Sequence, residues 1–343
     1  MPIDLDAYTA KVRRDVFAVL DGWLERKTAG MAPGLRGCIT AYPRRRGKAL
    51  RSVLLCLFAG GLGGGYRKAS RLAAAYELLE NWGLGRDDLM DHAETRRGGP
   101  ALHRLCGEEA AINALDLTAT YIPEMLYANC LLGPREFGPV FGEFYAGVRR
   151  ALQGQHLELV WRGRPPREFS PRAYFRLADM KTSSYTTEGP CRLAAVLAGR
   201  YDLFGAIDVF GRHLGAAFQL MDDVLDLEND GGTGFGKAPG NDIREGKRTL
   251  LLWRALRRSS PADRSFLLRL YSRPPGSPPA EADVARAREV MLASGAAEYC
   301  RSAAAARTGS AMAVLDRALL PAMSGGYGEA LRAFVRRLSG RTS

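Results

Sequence analysis

Apolar residues recur along this chain at helical spacing, and no segment sustains the alternation of apolar and polar residues that a half-buried strand requires. One stripe runs through Leu72, Tyr76, Leu79 and Gly83. A second runs through Ile112, Leu115, Ala119, Ile122 and Leu126, and a third through Val209, Leu214, Phe218, Met221 and Leu225. These stripes predict helices and no strands. Turn-forming residues interrupt them at 60–65, 96–100, 133–134, 163–166, 199–202, 229–240 and 272–279. None of these breaks is long enough to be a linker. The expectation is a single all-α domain over residues 1–343, with too many helices for a four-helix bundle, around an interior with room for a cavity.

At 343 residues the chain can bury a substantial core, and its 46% apolar and 25% charged residues are ordinary for a globular protein. The formal charge of +12 suits anionic partners such as nucleic acid, acidic lipid or phosphorylated small molecules. A coding bias toward Arg gives the same excess, so charge alone selects none of them. Aromatic residues are not interleaved with Arg and Lys in a stacking pattern, and no nucleic-acid partner is expected. The six cysteines (Cys38, Cys56, Cys106, Cys130, Cys191 and Cys300) show neither zinc spacing nor a disulfide framework. They read as small buried residues of a reducing compartment. The first six residues lack the apolar run of a secretory signal. The longest apolar stretch, 53–65, is too short for a bilayer and carries five glycines. A cytoplasmic protein with no transmembrane segment is expected.

Two Asp-Asp-x-x-Asp motifs stand out. Asp87 and Asp91 are four residues apart, as are Asp222 and Asp226, and on a helix each pair shares one face. Like charges at that spacing cost about 0.2–0.5 kcal/mol per pair, and Asp88 and Asp223 add to the local charge. Leu84 and Leu89 flank the first motif; Phe218, Leu220, Val224 and Leu225 flank the second. A solvated acidic face is not embedded this way. Carboxylates facing a cavity need counter-charge, and their hard oxygens suit Mg²⁺, which prefers one or two carboxylates plus substrate phosphates. The pair of motifs reads as a magnesium grip on a diphosphate ester, and the chain as an enzyme.

Cations surround both motifs. Lys48 and Arg51 precede the first, Arg96 and Arg97 follow it, Lys181 and Thr182 lie mid-chain, and Lys237 and Lys247 follow the second. Arg offers forked donors to phosphate oxygens and Lys a point charge. Together they supply charge for two diphosphate groups. The Gly-rich run 231–236 before Lys237 reads equally as a flap over a polyanion or as a plain interhelical loop.

At these residues the sequence resembles the trans-isoprenyl diphosphate synthases, the polyprenyl synthetase family, in order across roughly residues 40–255. Gly47-Lys48-Ala49-Leu50-Arg51 looks like its Gly-Lys-x-x-Arg motif, and Asp87-Asp88-Leu89-Met90-Asp91 with Arg96-Arg97-Gly98 like its first Asp-rich region. Gly154-Gln155, Lys181-Thr182 with Tyr185, and the run from Phe218 to Asp226 match further landmarks. Gly236-Lys237 and Asp242-Ile243-Arg244-Glu245-Gly246-Lys247-Arg248-Thr249 complete the set. The resemblance implies an isoprenoid-synthase fold, a homodimer, and condensation of an allylic diphosphate with isopentenyl diphosphate. It implies three Mg²⁺ ions assembled with the diphosphate on Asp87, Asp91 and Asp222, with Asp88, Asp223 and Asp226 as further ligands or acceptors. Arg96, Lys181, Lys237 and Lys247 would hold the allylic diphosphate, with Thr182 and Gln219 near the reacting carbons. Lys48, Arg51 and Arg97 would hold isopentenyl diphosphate.

Two positions depart from that pattern. Glu80 stands where the family has His or Gln donating to isopentenyl diphosphate, so its carboxylate calls for an Arg partner, for which Arg86 is one candidate. Arg46 replaces the first Gly of the usual Gly-Gly-Lys. Trp82 and Gly83, just before Asp87, are the positions where bulk limits chain length in the family; they imply a C20 product, with C15 next. The competing readings are a class I terpene cyclase, whose second metal motif carries Asn, Ser or Thr, and Glu, and a non-catalytic partner subunit of a prenyltransferase.

Overall fold

The computed structural model describes residues 3–229, 240–274 and 276–340. It is helical almost throughout, as the stripes predict. In chain order the first helices are α1 (Leu5–Thr28), α2 (Pro33–Arg44), α3 (Leu50–Leu62), α4 (Tyr66–Met90), α5 (Leu102–Cys106) and α6 (Glu108–Asn129). Next come α7 (Pro134–Arg162), α8 (Pro171–Ala178), α9 (Gly189–Leu197), α10 (Phe204–Glu228) and α11 (Asn241–Arg244). The last are α12 (Leu250–Arg258), α13 (Pro261–Tyr271), α14 (Glu281–Ala293), α15 (Ala296–Val314) and α16 (Tyr327–Ser339). A stretch of π-helix, Asp179–Glu188, joins α8 to α9. Among the described residues no helix is long and apolar enough to cross a membrane.

Contacts divide the chain into two compact units. The first comprises Met1–Tyr145, Gly189–Ile207 and Arg317–Phe334. Its centre is α3, the apolar stretch noted in the sequence. Val53, Leu54, Leu55, Cys56, Leu57 and Phe58 are buried on every side of this helix, against α1, α4 and α9. Full burial of such side chains contributes about 1.5–3 kcal/mol each. Helix α1 starts where Asp4 accepts from the Ala7 amide at 2.7 Å and buries Val12, Val16, Leu20, Trp23 and Leu24 on one face. Helix α6 buries Ala114, Leu115, Thr118, Ile122, Met125 and Leu126. Ile112, which the sequence stripe included, is 47% exposed, because the buried face is set one residue away, at Ala111.

One hairpin corrects the expectation of no strands. Thr95–Arg96 and Gly99–Pro100 pair antiparallel, Thr95 with Pro100 and Arg96 with Gly99. The two residues between them, Arg97 and Gly98, have φ of 51° and 72°, the left-handed pair that a tight two-residue hairpin turn requires. Strands of two residues carry no alternation to read.

The second unit comprises Ala146–Glu188, Asp208–Asp316 and Val335–Ser343. Its core gathers Leu220, Val224, Leu250, Leu267, Val284 and Met291. Helices α8, α12 and α13 start at Ser170, Thr249 and Ser260, whose hydroxyls accept from amides three residues on. Val209 of the third stripe is 41% exposed, and Phe210 takes the buried position beside it. Among the described residues the six cysteines form no disulfide; Cys106 is half-buried and the other five are buried.

Candidate active site

In the first unit, Asp87 and Asp88 lie in the last turn of α4 and Asp91 is its C-cap. The partial charge at a helix C-terminus is negative, so carboxylates there need cations more than elsewhere. Asp88 is fully buried and takes three groups. Arg96 Nε lies 3.0 and 2.9 Å from its two oxygens, Arg96 Nη2 also donates to Oδ1, and the Tyr42 hydroxyl donates to Oδ2 at 2.7 Å. Burial opposes the Arg96 charge, yet the Asp88 pair raises its pKa above the usual arginine value. The Tyr42 phenol is raised by burial and by Asp88. Asp87 and Asp91 are only half-buried.

The cations that the resemblance assigns to isopentenyl diphosphate, Lys48, Arg51 and Arg97, all belong to this unit. Arg97 Nη1 donates to Asn81 Oδ1 at 2.8 Å and to the Tyr42 carbonyl at 3.2 Å. A Cβ on Gly47 would lie 2.7 Å from Arg97 Nη2, so the absence of a side chain there lets the guanidinium lie against the loop that carries Lys48. Arg46 adopts φ 50°, a left-handed conformation that costs a non-glycine residue about 1–2 kcal/mol. In that conformation its side chain pairs with Asp21 and lies over the Phe17 ring at 4.8 Å. Glu80 pairs with Arg51 at 2.9 Å. Its partner is therefore Arg51, while Arg86 lies over the Trp82 ring at 5.5 Å. A six-residue offset keeps Arg86 and Glu80 off a common helix face. One turn before Glu80, Glu77 is buried and accepts from Ser52 Oγ at 2.6 Å; burial raises its carboxyl above the usual range. Trp82 lines a cavity of about 20 Å³ with Leu115 and Thr118, and a side chain on Gly83 would meet open space.

In the second unit, α10 carries Gln219, Asp222, Asp223 and Asp226. Asp223 is buried and accepts from the Tyr174 hydroxyl and from Gln219 Nε2, both at 2.7 Å. Burial, then the nearby Asp242 charge, lifts its carboxyl well above the usual range. Thr182 Oγ1 donates to Gln219 Oε1 at 2.5 Å, so Thr182, Gln219 and Asp223 form one chain of hydrogen bonds. Asp226 accepts from the Asp242 amide at 3.0 Å, and Asp222 is half-buried. Lys181 Nζ lies 3.0 and 3.1 Å from the oxygens of Glu158. Lys247 lies 2.5 Å from Glu245 and 3.0 Å from Asp242. Arg162 bridges the two sets, 2.7 Å from Glu158 and 3.5 Å from Glu245. Lys237 and the Gly-rich run before it lie outside the described residues.

The π-helix that presents Lys181 and Thr182 lies in a cradle of glycines. A Cβ on Gly154 of α7 would sit 2.4 Å from the Lys181 amide nitrogen, and one on Gly147 would sit 3.3 Å from the Ser184 carbonyl. On α10, Cβ atoms on Gly211 and Gly215 would lie 2.8 Å from Glu188 Cα and 2.5 Å from Ser183 Cα. Arg150 of α7 binds both ends of the segment, Asp179 at 3.1 Å and Glu188. This explains Gly154 in the landmark Gly154-Gln155: the glycine admits the backbone of Lys181.

The sequence reading missed Tyr42, Tyr174, Glu158, Arg162 and Arg150. Only Glu158 and Arg162 carry a local signal, an acid–base pair at i,i+4 just after Gly154-Gln155. The donor set fits magnesium. Asp87, Asp91 and Asp222 are half-buried carboxylates. Among the described residues no three metal-ligating side chains converge into a cage.

A family model described as polyprenyl synthetase matches residues 33–291. The short chain isoprenyl diphosphate synthase of Methanothermobacter thermautotrophicus is 33% identical over 259 residues, which cover 75% of this chain and 76% of that one. The geranylgeranyl diphosphate synthase of Mycobacterium tuberculosis is 32% identical over 284 residues, 80% and 76% of the two chains. Among solved structures, the geranylgeranyl pyrophosphate synthase of Corynebacterium glutamicum, complexed with isoprenyl diphosphate and magnesium, gives a TM-score of 0.86 at 26% identity, over 99% of this chain and 100% of that one. The match runs through the residues of both units, and on this ground the chain belongs to the polyprenyl synthetase family.

Proposed function

We propose that this protein is a trans-prenyltransferase that joins an allylic diphosphate to isopentenyl diphosphate and releases a short all-trans prenyl diphosphate, C20 first and C15 next. One observation carries the reading. In each Asp-rich motif the middle aspartate, Asp88 or Asp223, is held by a tyrosine hydroxyl and a side-chain N–H, while Asp87, Asp91 and Asp222 are half-buried. The relatives named for short-chain and geranylgeranyl products support the C20 preference.

Asp87, Asp91 and Asp222 would hold Mg²⁺, three ions per active site, with Asp226 as a further acceptor. Bound magnesium supplies neutralisation of the negative charge that grows on the departing pyrophosphate. Glu158 and Glu245 position Lys181 and Lys247, whose ammonium groups would turn to the leaving group as its charge grows. The double bond of isopentenyl diphosphate attacks the allylic carbon, a carbon–carbon bond forms, and a proton leaves to the released pyrophosphate. No dedicated protein base is required. Thr182 and Gln219, bonded to each other, orient their dipoles beside the reacting carbons. The apolar faces of the helices exclude water that would quench the allylic cation.

The two units form one catalytic domain in this reading, a view supported by the unbroken family match. A homodimer in the cytoplasm is part of the proposal. Tyr127, 76% exposed, stands 5.6 Å from the half-buried Phe137, which stands 5.5 Å from Phe141, 36% exposed; a second copy would cover these rings. A terpene cyclase is the weaker reading, because the second motif is built of aspartates. The test is incubation with labelled isopentenyl diphosphate and each allylic starter, followed by sizing of the dephosphorylated products. Absence of incorporation with every starter overturns the proposal, and hydrocarbon release from geranylgeranyl diphosphate alone favours the cyclase.

A further inference from the structure

We propose that Glu80 competes with the acceptor diphosphate for Arg51, and so sets both the affinity for that substrate and its discrimination against singly phosphorylated analogues. The inference rests on reading Lys48, Arg51 and Arg97 as the cradle of isopentenyl diphosphate.

The two arginines of that cradle are held differently. Arg97 is anchored by neutral acceptors, Asn81 Oδ1 and the Tyr42 carbonyl. Among the described residues its hydrogen bonds go to neutral acceptors, and Glu80 and Glu77 act on its charge only through space. Arg51 is held by a carboxylate, Glu80, at 2.9 Å, with the side chains 19% and 13% exposed. Where water is largely excluded, such a pair cancels most of the field that either charge presents to a third group. The nearby Glu77 does not share this role. It is buried one turn back on α4, it is bonded by Ser52, and burial favours its neutral form.

An arriving phosphate group must therefore draw Arg51 away from Glu80 or share it. A diphosphate ester, with up to about three negative charges on two phosphoryl groups, competes better than a monophosphate, which carries about 1.5–2 on one. Glu80 thus acts as a charge threshold. A neutral hydrogen-bonding side chain at this position keeps the contact with Arg51 and removes the competition, so both analogues gain affinity and the monophosphate gains more.

The experiment measures the KM for isopentenyl diphosphate, the KM for the allylic starter and the inhibition constant of isopentenyl monophosphate in the wild type, E80Q and E80H, with a melting curve for each. The expected result is a fall of about tenfold in the acceptor KM, the scale on which removing a like charge beside a bound anion acts. The allylic KM stays within about twofold, and the preference for diphosphate over monophosphate narrows. An acceptor KM that is unchanged or raised in both folded variants overturns the role of Glu80 and leaves the prenyltransferase reading standing. If the wild type turns over no starter, that reading falls instead. Calorimetric titration with inorganic pyrophosphate then decides the point: tighter binding by E80Q and E80H supports the competition, and equal or weaker binding overturns it.

Discussion

Tyr174 places its hydroxyl 2.7 Å from Oδ2 of Asp223. Tyr42 stands in the same relation to Asp88, also at 2.7 Å. Each tyrosine comes from a helix remote in sequence and fixes the middle aspartate of its motif. The two sites differ in the second donor. Asp88 has the charged Arg96, whereas Asp223 has the neutral Gln219.

That difference predicts unequal effects of deleting the two hydroxyls. Tyr174→Phe takes a donor from a buried carboxyl with only an amide left, at a cost of about 1–3 kcal/mol. Tyr42→Phe leaves Arg96 in place and costs less. Thermal denaturation of the two variants compares them. A larger loss for Tyr42→Phe contradicts the view that Arg96 dominates at Asp88.

Gly154→Ala is expected to damage catalysis without touching a substrate-binding side chain. The new methyl would sit 2.4 Å from a backbone nitrogen, so the π-helix must shift and carry Lys181 and Thr182 with it. Overpacking of this kind costs about 1–3 kcal/mol, and misplacement of the cation lowers kcat by at least about tenfold. Steady-state kinetics beside a melting curve test this; full kcat in a folded Gly154→Ala protein refutes it.

Glu77 predicts a pH dependence of stability. Its folded pKa is raised above the ordinary 4.5 by burial. Below 4.5 both folded and unfolded chains hold the proton, and the contribution of the buried neutral carboxyl is complete. As pH rises through that value the unfolded chain loses the proton first, and stability falls until the folded carboxyl titrates as well. Glu77→Gln removes this effect, so its melting temperature gains on the wild type as pH rises above 4.5. A difference that does not change with pH rules the account out.

Trp82→Ala is expected to lengthen the product beyond C20. The indole borders a small cavity with Leu115 and Thr118, and beside it Gly83 faces open space. Chromatography of the dephosphorylated products reads the outcome, and an unchanged length removes Trp82 from the determinants.

Much of this was legible in the sequence, and the remainder has a common physical reason. Helical period announces itself over ten or more residues, so the all-α class followed from stripes such as Leu72, Tyr76 and Leu79. Phase is harder to read: Ile112 and Val209 sit at the edges of their stripes, and a rotation by one residue puts them outside. The hairpin at Thr95–Pro100 is too short to have a pattern. The two Asp-rich motifs are legible because charge inside apolar helices is costly and therefore conspicuous, and Lys181 and Lys247 through the ordered landmarks that contain them. Tyr42, Tyr174 and Glu158 are ordinary residues until the fold brings them to Asp88, Asp223 and Lys181. The Glu80 partner was open for the same reason: Arg51 is 29 residues away.

The glycine cradle has a consequence for anyone who would reshape this enzyme. A library aimed at residues that touch substrate samples Lys181 and Thr182 and leaves their backbone where it is. The coordinates of that backbone are encoded on α7 and α10, at positions chosen for having no side chain. Gly147 is the gentlest of the four to alter, since a methyl there meets one carbonyl at 3.3 Å and asks for a displacement of tenths of an ångström. It offers a fine adjustment of the site from outside the site, available to drift and to design alike.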